Sequence, residues 1–223
     1  MDFDTSKNLS SIGALLILLS PIIPLVLPFA GSLVGLLGFI LLLLGVKGLA
    51  DYYGEPGIFS NMLYGTVTGI VGILAALAVF VGVALSSLSG FLHKLFPGWN
   101  GDWTTLPSLT PNANNIGFGD IAPFIGAALA VLVILFAFAL IATLLYRRSL
   151  NSLSKRSGVG LFGTAGILLL IGAVLAIILI GYLLIWFGIL LLAIAFFGLK
   201  PQTTNPIPAA QVPMQSPPPP PPP

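Results

Sequence analysis

The chain of 223 residues contains no cysteine, one histidine and very few charged residues. Without cysteine it can form no disulfide, no thiolate metal site and no cysteine nucleophile. With His93 as the single histidine, neither a histidine metal cluster nor a Ser/His/Asp relay can be assembled. The 8 Lys+Arg and 6 Asp+Glu fall far below the roughly one quarter of residues that are charged in soluble domains. With 57% hydrophobic residues, the composition excludes a water-soluble domain, a disordered chain and a basic nucleic-acid-binding protein.

The sequence is rich in long segments that contain no charged residue. Four of them cover residues 8–46, 56–92, 121–146 and 157–199. A charge at the centre of a bilayer costs roughly 2.5–3.5 kcal/mol, and about 20 residues cross the hydrocarbon core as a helix. The two middle segments therefore predict one helix each. The first and last segments are long enough for two short helices each, so we expect each of them to form a helical hairpin.

The predicted fold is an all-α, polytopic transmembrane bundle in which two tight hairpins flank two longer helices. The six predicted spans cover residues 11–27, 31–49, 63–86, 121–146, 161–179 and 182–199. Proline stops a helix and glycine permits a tight turn, so residues 28–31 (PFAG) are the predicted first reversal. Gly181 and Tyr182 are the predicted second reversal. Residues 1–9 precede this domain, which covers 10–200, and the proline-rich tail of residues 201–223 is expected to be disordered.

Basic residues are distributed unequally between the two sides that this topology creates. One side carries seven of them, namely Lys7, Lys47, Arg147, Arg148, Lys155, Arg156 and Lys200. The other side carries only Lys94. Because basic residues favour the cytoplasmic face, the prediction is a plasma-membrane protein with both termini in the cytoplasm.

Two loops offer candidate binding residues. The outer loop, about residues 89–119, contains Trp99 and Trp103, which we expect to be anchors at the depth of the lipid headgroups; the alternative is a binding surface or lid. The cytoplasmic loop, about residues 147–160, contains Arg147, Arg148, Lys155 and Arg156. These four set the topology in the simpler interpretation, and in the alternative they also contact anionic lipid headgroups.

The titratable residues predict no catalytic, cofactor-binding or metal-binding site. His93, Asp102 and Asp120 lie in the outer loop without the spacing of a metal site, and Asp120 is predicted to cap the fourth helix. On the inner side Lys47 and Asp51 are spaced to pair along a helix. An acid/base role for Asp51 or for Glu55, which is predicted to lie in a turn, would lack a partner. Since the four long segments contain no Asp, Glu, Lys, Arg or His, ion-coupled transport is also disfavoured.

Small residues and a short repeat suggest how the helices are arranged. Pairs of small residues four apart occur at Gly31 and Gly35, Gly126 and Ala130, and Gly172 and Ala176. They predict close helix packing, either within the chain, with a second copy or with other membrane proteins. Two loop segments are similar, because a basic residue precedes a glycine by ten positions in both residues 47–57 and residues 148–158, which indicates a weak internal repeat.

Two loop segments carry a resemblance to a known family. Residues 47–51 (KGLAD) with 57–61 (GIFSN), and residues 146–150 (YRRSL) with 156–166 (RSGVGLFGTAG), resemble the membrane family catalogued as domain of unknown function 996. That family occurs mainly in archaea and in some bacteria. The resemblance covers roughly residues 8–199 and implies a small polytopic membrane protein, with no catalytic residues to carry over.

Three hypotheses for the function follow from these features. The first is a non-catalytic structural or accessory membrane component that packs against lipids or other membrane proteins. The second is an uncoupled pore, carrier or lipid-handling protein for a small or apolar solute. The third is an enzyme that uses the outer loop, and the absence of a recognisable catalytic pattern makes it the weakest of the three.

Overall fold

The structure is a computed structural model that describes residues 1–25, 27–28 and 30–201. Six α-helices follow one another along the chain: α1 (Phe3–Leu19), α2 (Ala30–Tyr52), α3 (Pro56–Leu95), α4 (Phe118–Ser157), α5 (Leu161–Val174) and α6 (Ile180–Phe197). No strand occurs in these described ranges. The predicted all-α fold, with two helical hairpins flanking two longer helices, is confirmed. The predicted polyproline tail lies outside the described residues.

Five of the six helices are long and apolar enough to cross a membrane, and α1 is the exception. The predicted first span, residues 11–27, is wrong in its bounds. The Asp2 carboxylate accepts a hydrogen bond from the backbone N–H of Thr5 at 3.2 Å, so α1 already begins at Phe3. It ends at Leu19 because Pro21 cannot continue a helix.

The reversals of both hairpins differ from the predicted ones. In the first hairpin the chain leaves α1 at Ser20, which is earlier than residues 28–31. In the second hairpin a short 3-10 turn, Leu175–Ile178, leads to Leu179, whose φ of +61° reverses the chain. Gly181 lies inside α6 instead, where Gly172 of α5 packs directly against it. The glycine therefore serves close helix packing, and the turn is made by a leucine.

The two central helices are longer than their predicted spans. Helices α3 and α4 contain 40 residues each, or about 60 Å of helix at 1.5 Å per residue. Pro56 occupies the first turn of α3, where proline is favoured, and the turn that precedes it contains Gly54 with a φ of +61°. Gly158, with a φ of +73°, ends α4. Helix α4 thus continues past Arg148 through most of the predicted cytoplasmic loop.

The six helices form a ring. Each helix packs against its neighbours along the chain, and α1 also packs against α6. One end of the ring, here called the basic end, brings together the N-terminus, the end of α6 and the turns after α2 and α4. There the ammonium group of Lys7 donates to the carbonyl of Leu199 at 2.8 Å. The opposite end of α3 and α4, here called the loop end, carries residues 96–117.

The hydrophobic core lies near the basic end. Its fully buried large side chains come from five of the helices and from a leucine two residues beyond α6, namely Val46, Leu49, Ile58, Leu150, Leu153, Phe162, Phe196 and Leu199. The rings of Phe162 and Phe196 meet edge to face with their centroids 4.9 Å apart. Leu49 and Leu150, which stand at matching positions of the proposed repeat, are buried in this one cluster. The ring of helices is therefore closed by packed side chains at this end.

Small residues allow the first hairpin to pack closely. A Cβ atom added to Gly13 of α1 would lie 2.5 Å from the backbone nitrogen of Leu42 and 2.6 Å from the carbonyl oxygen of Gly38. Gly31 and Gly35 both face Ser20, as the predicted packing role of that pair requires. Nothing lies within 4 Å of a Cβ added to Gly126, so this glycine packs against no helix in the described chain.

Candidate functional site

The four predicted basic residues lie on the solvent-exposed side of the last turns of α4. Arg147, Arg148, Lys155 and Arg156 are all exposed, whereas Leu150 and Leu153 on the other side of the helix are buried in the core. The four cations are spread over about 15 Å of helix, at 1.5 Å per residue, and do not converge on one point.

An acidic residue lies among these cations. The guanidinium of Arg156 donates to the carboxylate of Glu55 at 2.6 Å, which joins the end of α4 to the start of α3. Glu55, Ser152, Lys155 and Arg156 together line a surface depression of about 390 Å³. Because the Glu55 carboxylate offsets part of the positive charge there, the depression is not a purely cationic pocket.

The predicted pair on the inner side does not form. Lys47 and Asp51 are both exposed, and within the described residues the ion pairs are those of Lys94 with Asp120 and of Arg156 with Glu55. Both side chains are at the end of α2, where water can solvate each of them separately.

The loop at the loop end has its own small core around Trp99. Trp99 is only 6% exposed, and its indole N–H donates to the carbonyl of Asp102 at 2.8 Å. Its ring also packs against His93 and Trp103, with centroids 4.7 and 5.3 Å away. Trp103 is 59% exposed. Of the two predicted anchors, Trp99 thus organises the loop itself and Trp103 presents its ring to the surroundings.

The titratable residues of this loop each have a local structural partner. His93 Nδ1 lies 2.8 Å from the carbonyl oxygen of Ser89 in its own helix. The backbone N–H and the hydroxyl of Thr104 hold the pKa of the Asp102 carboxyl below its ordinary value.

Asp120 acts as the predicted cap of α4, although the helix begins slightly earlier than expected. Its carboxylate accepts a bond from the N–H of Gly117 at 3.0 Å and is paired with Lys94 of α3.

No group of three His, Asp or Glu side chains that could hold a metal ion occurs among the residues described.

An apolar cavity occupies the centre of the ring. Its volume is about 220 Å³, and all six helices contribute to its wall. The wall includes Ile17, Leu42, Met62, Leu169 and Ile189, together with Tyr146 and Thr143 of α4. Such a cavity offers dispersion contacts to an apolar group and almost no hydrogen bonds. It is the described feature of the bundle best suited to hold part of an apolar ligand.

Hydroxyl groups link α3 and α4 beside this cavity, a role that the sequence did not predict for them. The hydroxyl groups of Thr66 and Tyr146 are 3.3 Å apart across the interface between α3 and α4. The buried hydroxyl of Ser149 donates to the carbonyl of Ile58 across the same interface. Thr66 also donates to the carbonyl of Met62 in its own helix. Tyr146 and Ser149 flank Arg147 and Arg148 in the sequence, so no local pattern pointed to these bonds.

The comparisons with known proteins agree with the resemblance found in the two loop segments. The family described as "Protein of unknown function (DUF996)" matches residues 34–190. The chain belongs to this family. An uncharacterised protein of Methanocaldococcus jannaschii is 24% identical over 199 residues, which cover 89% of this chain and 94% of the relative. No solved structure matches the chain. The matched part of this DUF996 protein takes in most of α2, all of α3 to α5 and about half of α6.

Proposed function

We propose that this DUF996 protein is a non-catalytic structural or accessory component of the plasma membrane that packs against lipids and other membrane proteins. The observation that supports this most directly is the exposure of α3 and α4. In their most apolar stretches only 11% and 6% of the residues are buried within the chain. Helices this apolar require lipid or other helices around them, because exposure of their side chains to water costs about 25 cal/mol per Å².

The proposed orientation places the basic end in the cytoplasm. Seven of the eight Lys and Arg residues belong to the ends of helices at that end of the ring or to the adjoining segments. Basic residues next to membrane spans favour the cytoplasmic side. Both chain termini are then cytoplasmic, and residues 96–117 face outward.

Purification from native membranes in a mild detergent, followed by native mass spectrometry, tests the accessory role. We expect the chain to be recovered with a second membrane protein or a second copy. Replacing Leu129 and Val133, which are 61% and 67% exposed on α4, with alanine should reduce that association. Leu36 and Leu37, each 58% exposed on α2, are the matched control pair. Recovery of a solitary monomer in every detergent would contradict an accessory role.

A lipid-handling or carrier function is the second candidate, and the central cavity is the observation that favours it. An apolar cavity of about 220 Å³ within the ring could hold part of an acyl chain or a small apolar solute. Liposomes containing the purified protein would be assayed for lipid scrambling and for solute flux. Ile189→Trp fills the cavity and should abolish the activity, whereas Leu36→Trp on the outer surface should not. Absence of flux in the unmodified protein would rule this candidate out.

A further inference from the structure

The two hairpins reverse direction at apolar tips. The second tip, residues 174–181, contains no polar side chain, and its Ile177, Ile178, Leu179 and Ile180 are between 57% and 76% exposed. The first tip, residues 20–30, has one serine and is otherwise apolar, with Leu27 59% exposed. The loop of residues 96–117 is different, since it is rich in Asn, Asp, Thr and Ser. The chain therefore has one polar loop that is suited to water and two apolar hairpin tips that are not.

The second tip ends halfway along the uncharged part of α4. Leu179 and Ile177 share a surface depression of about 290 Å³ with Leu135 and neighbouring residues of α4. From that level Arg147 is about 20 Å away along the helix in one direction. Asp120 is about 20 Å away in the other direction. The tip is therefore near the middle of an uncharged length of about 40 Å.

The first tip ends at a similar level. Helix α2 begins at Ala30, about 18 Å of helix from Leu42. Leu42 and Tyr146, the residue before Arg147, both line the central cavity. Both tips are thus about 20 Å from the level of the innermost basic residues.

A hydrocarbon core about 30 Å thick must include this level. The uncharged length of α4 exceeds that thickness by only about 10 Å. Wherever the hydrocarbon core lies between Arg147 and Asp120, it therefore includes the midpoint of this uncharged length. The parts of α3 and α4 beyond the tips also require hydrocarbon, because Leu85 is 80% exposed and Leu129 is 61% exposed.

The backbone of the first tip is suited to an apolar environment. A chain reversal is tolerated in hydrocarbon only where its polar backbone groups have partners. Pro21, Pro24 and Pro28 have no N–H group to satisfy. The N–H groups of Ile22 and Leu27 donate to carbonyls three and four residues earlier, both at 2.9 Å.

The second tip satisfies its backbone by remaining almost helical. The four-residue 3-10 turn continues α5 directly, and the N–H of Leu179 donates to Ala176 at 3.2 Å. The N–H of Tyr182 then donates to the carbonyl of Leu179 at 3.1 Å. Few polar backbone groups are therefore left to meet lipid at this reversal.

We infer that both hairpins enter the bilayer from the basic end and end inside its hydrocarbon core, where acyl chains of the opposite leaflet cover their tips. Only α3 and α4 then cross the whole membrane. The protein presents six helices to the leaflet at its basic end and two helices to the leaflet at its loop end. This inference rests on the proposed placement in a bilayer and names lipid acyl chains as the partner of the exposed tips.

Single-cysteine variants test the inference, because the natural chain contains no cysteine. Leu179→Cys and Leu27→Cys probe the tips, Asn114→Cys reports the loop end and Asn151→Cys reports the basic end. Intact cells and inverted vesicles are treated with a membrane-impermeant maleimide. We expect Asn114→Cys to react only from outside and Asn151→Cys only from the cytoplasmic side. Both tip variants should remain unlabelled from either side of the membrane and should react once detergent has dissolved the bilayer.

Two outcomes would overturn this topology, and a third concerns only the orientation. Labelling of the tip variants from outside, at the rate of Asn114→Cys, would mean that the hairpins cross the membrane. Labelling of the tips from the cytoplasmic side at the rate of Asn151→Cys would mean that they do not reach the core. If the two end reporters exchange sides while the tips stay protected, the proposed orientation fails and the half-inserted hairpins stand.

Quenching by labelled lipids identifies what covers the tips. A fluorophore attached to Leu179→Cys in liposomes should be quenched most strongly by lipids that carry a spin label near the end of the acyl chain. Quenching mainly by headgroup-labelled lipids would contradict the inferred depth. Efficient dimer formation by a thiol cross-linker at this cysteine, together with weak quenching by every lipid, would show that a second copy covers the tip and would overturn lipid as the occupant.

Discussion

At the scale of single residues, Tyr53 stands out because its hydroxyl is buried without a hydrogen-bond partner in the described structure. The side chain is 9% exposed and lies just beyond the end of α2. Burial, with a smaller contribution from the neighbouring Tyr52, raises the pKa of Tyr53 from 10.0 to about 12. The folded state therefore disfavours ionisation of this phenol more than the unfolded state does.

Replacing Tyr53 with phenylalanine should raise the free energy of unfolding by about 1 kcal/mol, because an unsatisfied buried hydroxyl is removed.

Ionisation of Tyr53 should also make the stability of the natural chain depend on pH. The phenol ionises near pH 10 in the unfolded state and near pH 12 in the folded state, so the free energy of unfolding is unaffected by this group below pH 10 and falls as the pH rises from 10 towards 12. Thermal unfolding in detergent from pH 8 upward measures both effects. Tyr52→Phe, at a residue 39% exposed, is the control. Identical pH profiles for the natural chain and Tyr53→Phe would contradict this account.

Ser149 is a residue whose role became visible only across an interface. Its hydroxyl is fully buried and donates to the Ile58 carbonyl of α3. Ser149→Ala should lower the free energy of unfolding by roughly 1 kcal/mol. Ser86→Ala, which removes an exposed hydroxyl bonded within its own helix, should have a smaller effect. Equal melting temperatures for the two variants would show that the bond between the helices contributes nothing.

At the scale of helices, close backbone contact holds the first hairpin together. Gly13 of α1 faces the backbone of α2, so any added side-chain atom must displace one helix from the other. Such contacts are typical of helices that pack without a hydrophobic driving force in a bilayer. Sequence spacing found Gly31 and Gly35 but did not single out Gly13, because its partners, Gly38 and Leu42, lie on another helix.

Gly13→Ala should destabilise the protein by roughly 1–3 kcal/mol, the usual cost of overpacking. Gly126→Ala is the matched control, since nothing lies within 4 Å of the added Cβ. The higher helix propensity of alanine should leave this control as stable as the natural chain or more stable, by up to about 1 kcal/mol. Thermal unfolding of both variants in the same detergent provides the comparison. A greater loss in Gly126→Ala would contradict the packing shown by the structure.

At the scale of the whole molecule, the charged residues lie at the two ends of the bundle. The balance of positive and negative charge differs between these ends. The basic end carries four exposed cations on the last turns of α4, and the loop end carries Lys94 paired with Asp120. This difference, acting through the proposed membrane, should decide which way the chain inserts.

Replacing Arg147, Arg148, Lys155 and Arg156 together with glutamine should therefore give a mixture of orientations. The reporter is Asn151→Cys, which would become partly accessible from outside the cell. Lys94→Gln, which removes the single cation of the loop end, is the control and should leave the orientation unchanged. A uniform orientation in the fourfold variant would contradict the topological role. Reduced binding to anionic liposomes in that case would favour the alternative of headgroup contact.

Much of the fold could be predicted from the sequence because the cost of placing a charge in hydrocarbon depends on the residue itself and not on its neighbours. The positions of 14 charged residues were enough to predict six helices and the two hairpins. The start of α1 was missed because Asp2 and Lys7 disfavour a span there, although Asp2 caps the helix.

The sequence by itself determined the class of the protein, the number of its helices and the imbalance of charge between its ends, since each of these follows from where charges are absent. The tertiary structure alone decided which surfaces meet: the reversal at Leu179, the burial of Trp99, the bond between Ser149 and Ile58, and the central cavity. It also decided the common level of the two hairpin tips. That level depends on how helices of unequal length pack side by side, and a linear pattern of apolar residues does not contain this information.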